Sequence, residues 1–231
     1  MRELPHIGLY RRATAAAWVL APLLFLADNL VHPKEYATGR EAEQLAEIAG
    51  DYTRWQLAHV LGLGAILLFL PAALGLAFLV RRRAPTAGLV GGGLALVGAV
   101  GFGSVIALDG FAWGVAGEVS ARGDAATAEL MLHDLQQSEW SLPYYLPAAG
   151  LLLGMVVLGI AGWRTGALTP LAGGLVAVAG VLVGLDGVIH SNAFFIAGAV
   201  VLLAAGLAVA ADLARMGDDG YAGMGSSASD P

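Results

Sequence analysis

The residues that could do chemistry in this chain are few and unevenly placed. Asp28 and His32 stand four apart, Asp186 and His190 repeat that spacing, and Trp55 and His59 give a third pair of the same pitch. On a helix each pair projects from one face. Asp109, followed four residues later by Trp113, stands at the matching point of another apolar run. Neutral imidazole with carboxylate suits a transition metal such as Cu, Zn or Fe, and a carboxylate can alternatively hold the second N–H of a ligating histidine. The expected site is one outward-facing cluster: His59 and His190 as the strongest ligands, His32 as the third, and Asp28, Asp186 and Asp109 in support. Two imidazoles on facing helices would equally serve haem b, with glycines making room for the ring.

The Asp-x-x-x-His pair of Asp28 and His32, with His59 on the next helix, resembles the copper-ligand pattern in the C subunit of the membrane-bound methane and ammonia monooxygenases. The resemblance covers these three residues, and the spacing to the third ligand is longer here. It implies a copper site on Asp28, His32 and His59.

Other chemistries fit the same residues. Asp28, Asp109 and Asp186 lining a path and changing charge would make a small proton-coupled permease, although the inner half lacks polar residues to continue the path. A non-catalytic subunit or sensor could use its acidic outer loops to bind a membrane or extracytoplasmic protein partner. His32 and His190 also suit helix ends next to water. Trp55, Trp113, Trp140, Tyr144 and Tyr145 have the placement of an interfacial aromatic belt, and each Trp reads as belt or packing and not as a functional residue. His133 falls in a polar loop and reads as solvated, and His6 carries no signal.

The elements that must position these residues are membrane helices. Of 231 residues, 58% are hydrophobic and 13% charged, and mean hydropathy is +0.72, whereas soluble domains carry charge on about a quarter of their residues. Apolar runs near the length that crosses a bilayer core predict six spans: 14–31, 55–80, 86–115, 140–163, 168–189 and 192–213. The first run keeps Asp28 and Asn29 and has no convincing cleavage site, so it reads as a retained helix and not a signal peptide. Arg2, Arg11, Arg12, Arg81, Arg82, Arg83, Arg164 and Arg215 fall on one side, which places both termini in the cytoplasm of a multi-pass cell-membrane protein. The loops 33–54 and 117–139 are then external and acidic, and each has the apolar stripe of a short amphipathic helix.

Self-similarity sharpens the picture. The ends of spans 1, 3 and 5 share an Asp followed four residues on by His or Trp, and spans 2 and 4 open on Trp55 and Trp140. The all-α fold is therefore expected to be three parallel two-helix hairpins, the first two carrying an insertion. Gly88/Gly92, Gly110/Gly114, Gly150/Gly154 and Gly180/Gly184 have the small-xxx-small spacing of close helix contacts. Residues 1–215 form this bundle, and 216–231 are expected to be a disordered polar tail.

Several functions are excluded. No cysteine is present and the net charge is −6, which removes thiol chemistry, iron–sulfur clusters and a basic nucleic-acid surface. There is no phosphate-binding Gly-rich loop, His-Glu-x-x-His or Gly-x-Ser-x-Gly, and Ser104 and Ser191 lack a recognisable catalytic setting. The single lysine, Lys34, lies in a loop, which excludes a buried retinal Schiff base.

Overall fold

The computed structural model describes residues 6–33, 40–137, 142–189 and 192–222. These residues are helical, without strands: α1 (Ile7–Val31), α2 (Glu41–Gly50), α3 (Tyr52–Arg81), α4 (Pro85–Ala121), α5 (Ala125–Gln137), α6 (Leu142–Arg164), α7 (Pro170–Ile189), α8 (Asn192–Arg215) and α9 (Asp218–Ala222). Five helices are long and apolar enough to cross a membrane: α1, α3, α4, Leu146–Arg164 of α6 and Ala193–Arg215 of α8. The fifth expected span, 168–189, falls on α7. Its described apolar stretch, Pro170–Leu185, is shorter than the 17 or so residues that cross a bilayer unaided.

The six long helices form a ring. Each packs on the one before it and the one after it in the order α1, α3, α4, α6, α7, α8, and α8 returns to α1. Trp18, Phe25, Phe69, Leu76, Leu151 and Val176 belong to one continuous buried core inside it. Without water between helices, association rests on packing, so small residues decide how near two backbones come. A Cβ at Gly98 of α4 would overlap the Leu151 backbone of α6. One at Gly154 would stand 2.5 Å from the Ala95 nitrogen, and one at Gly92 2.6 Å from Ala77 Cβ.

The two ends of the ring differ. α4 has 37 residues, about 55 Å of helix at 1.5 Å per residue, well beyond a bilayer core of roughly 30 Å. Its last turns carry α2 and α5, where Leu45, Ala116, Ala128 and Leu132 make a second small core with Trp113 and Val119 against it. This is the loop end. Trp113 packs there against α4's neighbours, the packing reading of its sequence position.

At the opposite, terminus end, two features depart from the sequence reading. Asp212, in the last turns of α8, is only 7% exposed. Its Oδ2 accepts from Thr169 N at 2.7 Å and Thr169 Oγ1 at 2.9 Å, while Arg215 Nη1 donates to Oδ1 at 3.2 Å. A carboxylate thus sits at the positive end of α7. Asp212→Ala removes the N-terminal cap of α7, the acceptor for the Thr169 N–H and hydroxyl, and a loss of about 1 kcal/mol is expected. Thermal unfolding in detergent measures it, with Asp212→Asn falling less.

The second departure is the tail. Residues 216–222 fold back on the bundle, α9 is helical, and Tyr221 is 2% exposed. The expected unpacked tail therefore does not begin at residue 216, because one aromatic side chain is enough to seat a short segment in a groove between helices.

Candidate functional site

The polar residues of the loop end are brought together by α1, α3 and α4. Near the end of α1, Asp28 is buried at 8% exposure, and its Oδ2 lies 3.0 Å from where a Cβ on Gly62 of α3 would be. One turn later His32 ends the helix, its backbone N–H donating to the Asp28 carbonyl at 2.7 Å. Arg54 closes this terminus from α3: Nε donates to Val31 O at 2.5 Å and Nη2 to His32 O at 3.2 Å. A guanidinium on the last carbonyls satisfies acceptors that no helical N–H reaches. α3 itself starts on Asp51, whose Oδ1 accepts from Arg54 N at 3.0 Å.

Trp55 and His59 follow on the same face. Trp55 is 2% exposed, and its indole N–H donates to Gly110 O of α4 at 3.1 Å. The ring centroids of Trp55 and His59 are 4.3 Å apart, and those of His32 lie 5.1 Å from Trp55 and 5.2 Å from His59. Trp55 is thus an internal member of a three-ring cluster, not part of a lipid-facing belt. The reason is its N–H, which finds a buried carbonyl on the neighbouring helix.

His59 carries the chemistry of the cluster. Nδ1 lies 2.9 Å from Trp55 O, and Nε2 lies 3.3 Å from Asp109 Oδ2. A carbonyl oxygen has no proton to give, so Nδ1 must be the N–H of that bond. Nε2 then meets a carboxylate, and the two bond only through one further proton, held as imidazolium against carboxylate or as imidazole against carboxylic acid. Gly110 makes this approach possible, since a Cβ there would stand 2.7 Å from the His59 ring carbons.

The sequence-predicted residues divide accordingly. Asp28, His32, His59 and Asp109 converge on one region at the loop end. His190 lies outside the described residues, as does the side chain of Asp186. His133 is exposed, matching its solvated reading. Ser104 donates back to Val100 O within α4 at 2.8 Å. The His59–Asp109 couple has no spacing signature in the sequence. Only the Asp109-Gly110 dipeptide marks it, as an acid beside the residue that admits a neighbour's ring.

A resident metal can be tested against the donors. Nδ1 of His59 is engaged by a carbonyl, the usual anchoring of a ligating histidine. Two ligands about 2.0–2.2 Å from one tetrahedral ion stand roughly 3.4 Å apart, near the Nε2–Oδ2 separation. Among the described residues, however, no group of three His, Asp or Glu could hold a metal. Nδ1 of His32 lies 2.8 Å from Pro33 O, within hydrogen-bonding distance of that carbonyl. His32 and His59 cannot be the two axial ligands of a haem, because their rings are in direct contact with no layer left for a macrocycle.

Immediately toward the terminus end the interior is aromatic. Phe25 lies 6.5 Å from Phe102 and 5.9 Å from Phe195, between ring centroids. Below them Trp18 and Phe69 meet edge to face at 6.4 Å. Compared with protein-family models, curated proteins and solved structures, the chain matches none of them.

Proposed function

We propose that this multi-pass integral membrane protein works through a proton-exchanging site, the His59–Asp109 couple, opening toward the loop end. One observation carries the reading: Nδ1 of His59 is committed to a carbonyl while Nε2 faces a carboxylate, so a proton is a component of the site in either charge state. Asp28, buried beside it, supplies a second carboxyl group, and an ionisable group in a span is a functional-site hypothesis by default. The phenylalanine layer separates the site from the terminus end, as a proton-coupled permease requires in one of its states. With both termini cytoplasmic, as the arginine distribution favours, the site faces outward in the cell membrane.

The ring order supports three hairpins, α1/α3, α4/α6 and α7/α8, with α2 and α5 as insertions and α7 as the fifth of six spans. Asp28, Asp109 and Asp186 are then equivalent positions, and two of them border His59.

pH-jump infrared difference spectroscopy tests the proposal. Protonation of the site should give imidazole and carboxyl bands together, and both should vanish in His59→Gln and in Asp109→Asn. Bands unchanged by either substitution would refute it. A second reading is favoured by the Nε2–Oδ2 separation: a bound Cu, Zn or Fe using His59 and Asp109, with His190 or Asp186 as a further donor. Stoichiometric metal in protein purified without chelator would establish that reading in place of the first, and a Soret band would establish haem.

A further inference from the structure

The terminus end holds a second polar constellation that the proton site does not use. Tyr221 of α9 inserts its ring beside Phe78 of α3, with centroids 5.6 Å apart. Its hydroxyl lies 3.2 Å from Thr14 Oγ1 of α1 and donates to Gly75 O of α3 at 3.4 Å. One phenol oxygen therefore bridges the two helices. Gly75 provides the seat, since a Cβ there would collide with the Thr14 side chain. At the rim, Arg11 Nε donates to Asp218 Oδ1 at 2.9 Å and its Nη1 to Leu213 O at 2.6 Å, so α1 also grips the end of α8. Burial pushes the Tyr221 phenol up from its ordinary value, which keeps the hydroxyl neutral and able to donate.

A five-residue helix has no stability of its own. Its position is set by the Tyr221 anchor and the Arg11–Asp218 pair, of which the buried anchor is the stronger because the ion pair is half open to solvent. α1 and α3 are also the helices that bring Asp28 and His32 against His59 at the loop end. They share one packed seam, from Thr14 against Gly75 to Asp28 against Gly62. Pro22 and Pro71 lie inside the two helices between those ends, so a change of crossing at one end is passed to the other through side-chain packing along the seam.

We propose that α9 is a latch: by joining Thr14 to Gly75 through Tyr221 it fixes the crossing of α1 and α3, and thereby the fit of Asp28 and His32 against His59 at the opposite end. The latch belongs to the α1–α3 packing and holds whatever His59 binds, proton or metal. Its release would be the means by which the terminus side regulates the loop-end site.

The natural absence of cysteine allows clean spin labelling of the full chain. One label pair, Leu9 with Leu74, reports the terminus end, and a second, Leu30 with Val60, reports the loop end; all four side chains are exposed. In the otherwise unaltered chain both distance distributions should be narrow. Tyr221→Ala should broaden both, Tyr221→Phe should broaden both to a lesser degree, and Asp218→Asn should have the smallest effect. Broadening at the terminus end alone would overturn the coupling, and no broadening at either end would overturn the latch. Because Tyr221→Phe keeps the ring and the fold, a misfolded Tyr221→Ala protein would leave the test intact. Failure of the infrared experiment on His59 would not move these distances, so the two proposals fall separately.

Discussion

Gly98→Ala is expected to be among the most damaging single-methyl changes in the chain. The added Cβ would occupy the space of the Leu151 backbone, and a backbone cannot rotate away as a side chain can. α4 and α6 would have to separate along a seam that also includes Gly91, Gly150 and Gly154, losing dispersion contacts that nothing in lipid replaces. Overpacking costs about 1–3 kcal/mol in a well-packed core, occasionally more, and the upper part of that range is expected. Gly93→Ala, on the same helix with open space around its Cβ position, should be neutral or slightly stabilising through helix propensity. Paired melting curves in one detergent check this. Equal melting temperatures for the two variants would contradict the close α4–α6 seam.

The second large effect concerns His59. His59→Leu removes the ring nitrogen that faces Asp109 at 3.3 Å and leaves that carboxylate without its imidazole. Breaking a buried pair from one side costs about 3–5 kcal/mol when both groups are fully buried. The Asp109 side chain is 36% exposed, so a smaller loss, roughly 1–3 kcal/mol, is expected. Asp109→Leu should lose a similar amount, and the double variant should recover much of it, since neither charge then remains. The coupling energy from this double-mutant cycle is the measurement. Strict additivity would mean that the 3.3 Å approach contributes nothing.

The helices were legible because hydropathy acts over twenty residues at a time, and the expected spans differ from α1, α3 and α8 by a few residues at most ends. α4 is the informative exception. Its apolar run ends near Val115, yet the helix continues to Ala121 because α2 and α5 pack on it, a tertiary cause that no local pattern carries. The four-residue spacing made legible that Asp28 and His32 share a face, as do Trp55 and His59; that the two faces meet depends on how α1 packs on α3. The His59–Asp109 bond was not legible, since it depends on the register between α3 and α4, which a single glycine sets. Trp55 read as either belt or packing, and the choice between them depends on the same register: packing wins because its N–H finds Gly110 O on another helix. Asp212 has no partner legible in the sequence, and only the fold shows that it caps α7. Tyr221, alone in a polar tail, gave no periodicity to detect.

The ring has a consequence for how the protein is made. Every contact around the ring but one joins long helices that follow each other along the chain, so each arriving helix meets a partner that is already in the membrane. The exception is the α8–α1 seam, whose residues are separated by nearly the whole chain. Until α8 is synthesised, the groove on α1 that receives Gly206 at the Trp18 carbonyl, and the face of Phe25 that meets Phe195, stay open to lipid. Closure is therefore the last and most non-local event of biogenesis, slow relative to the hairpin steps before it. α9 follows α8 in the chain, so Tyr221 reaches its partners on α1 and α3 only once α8 has been made.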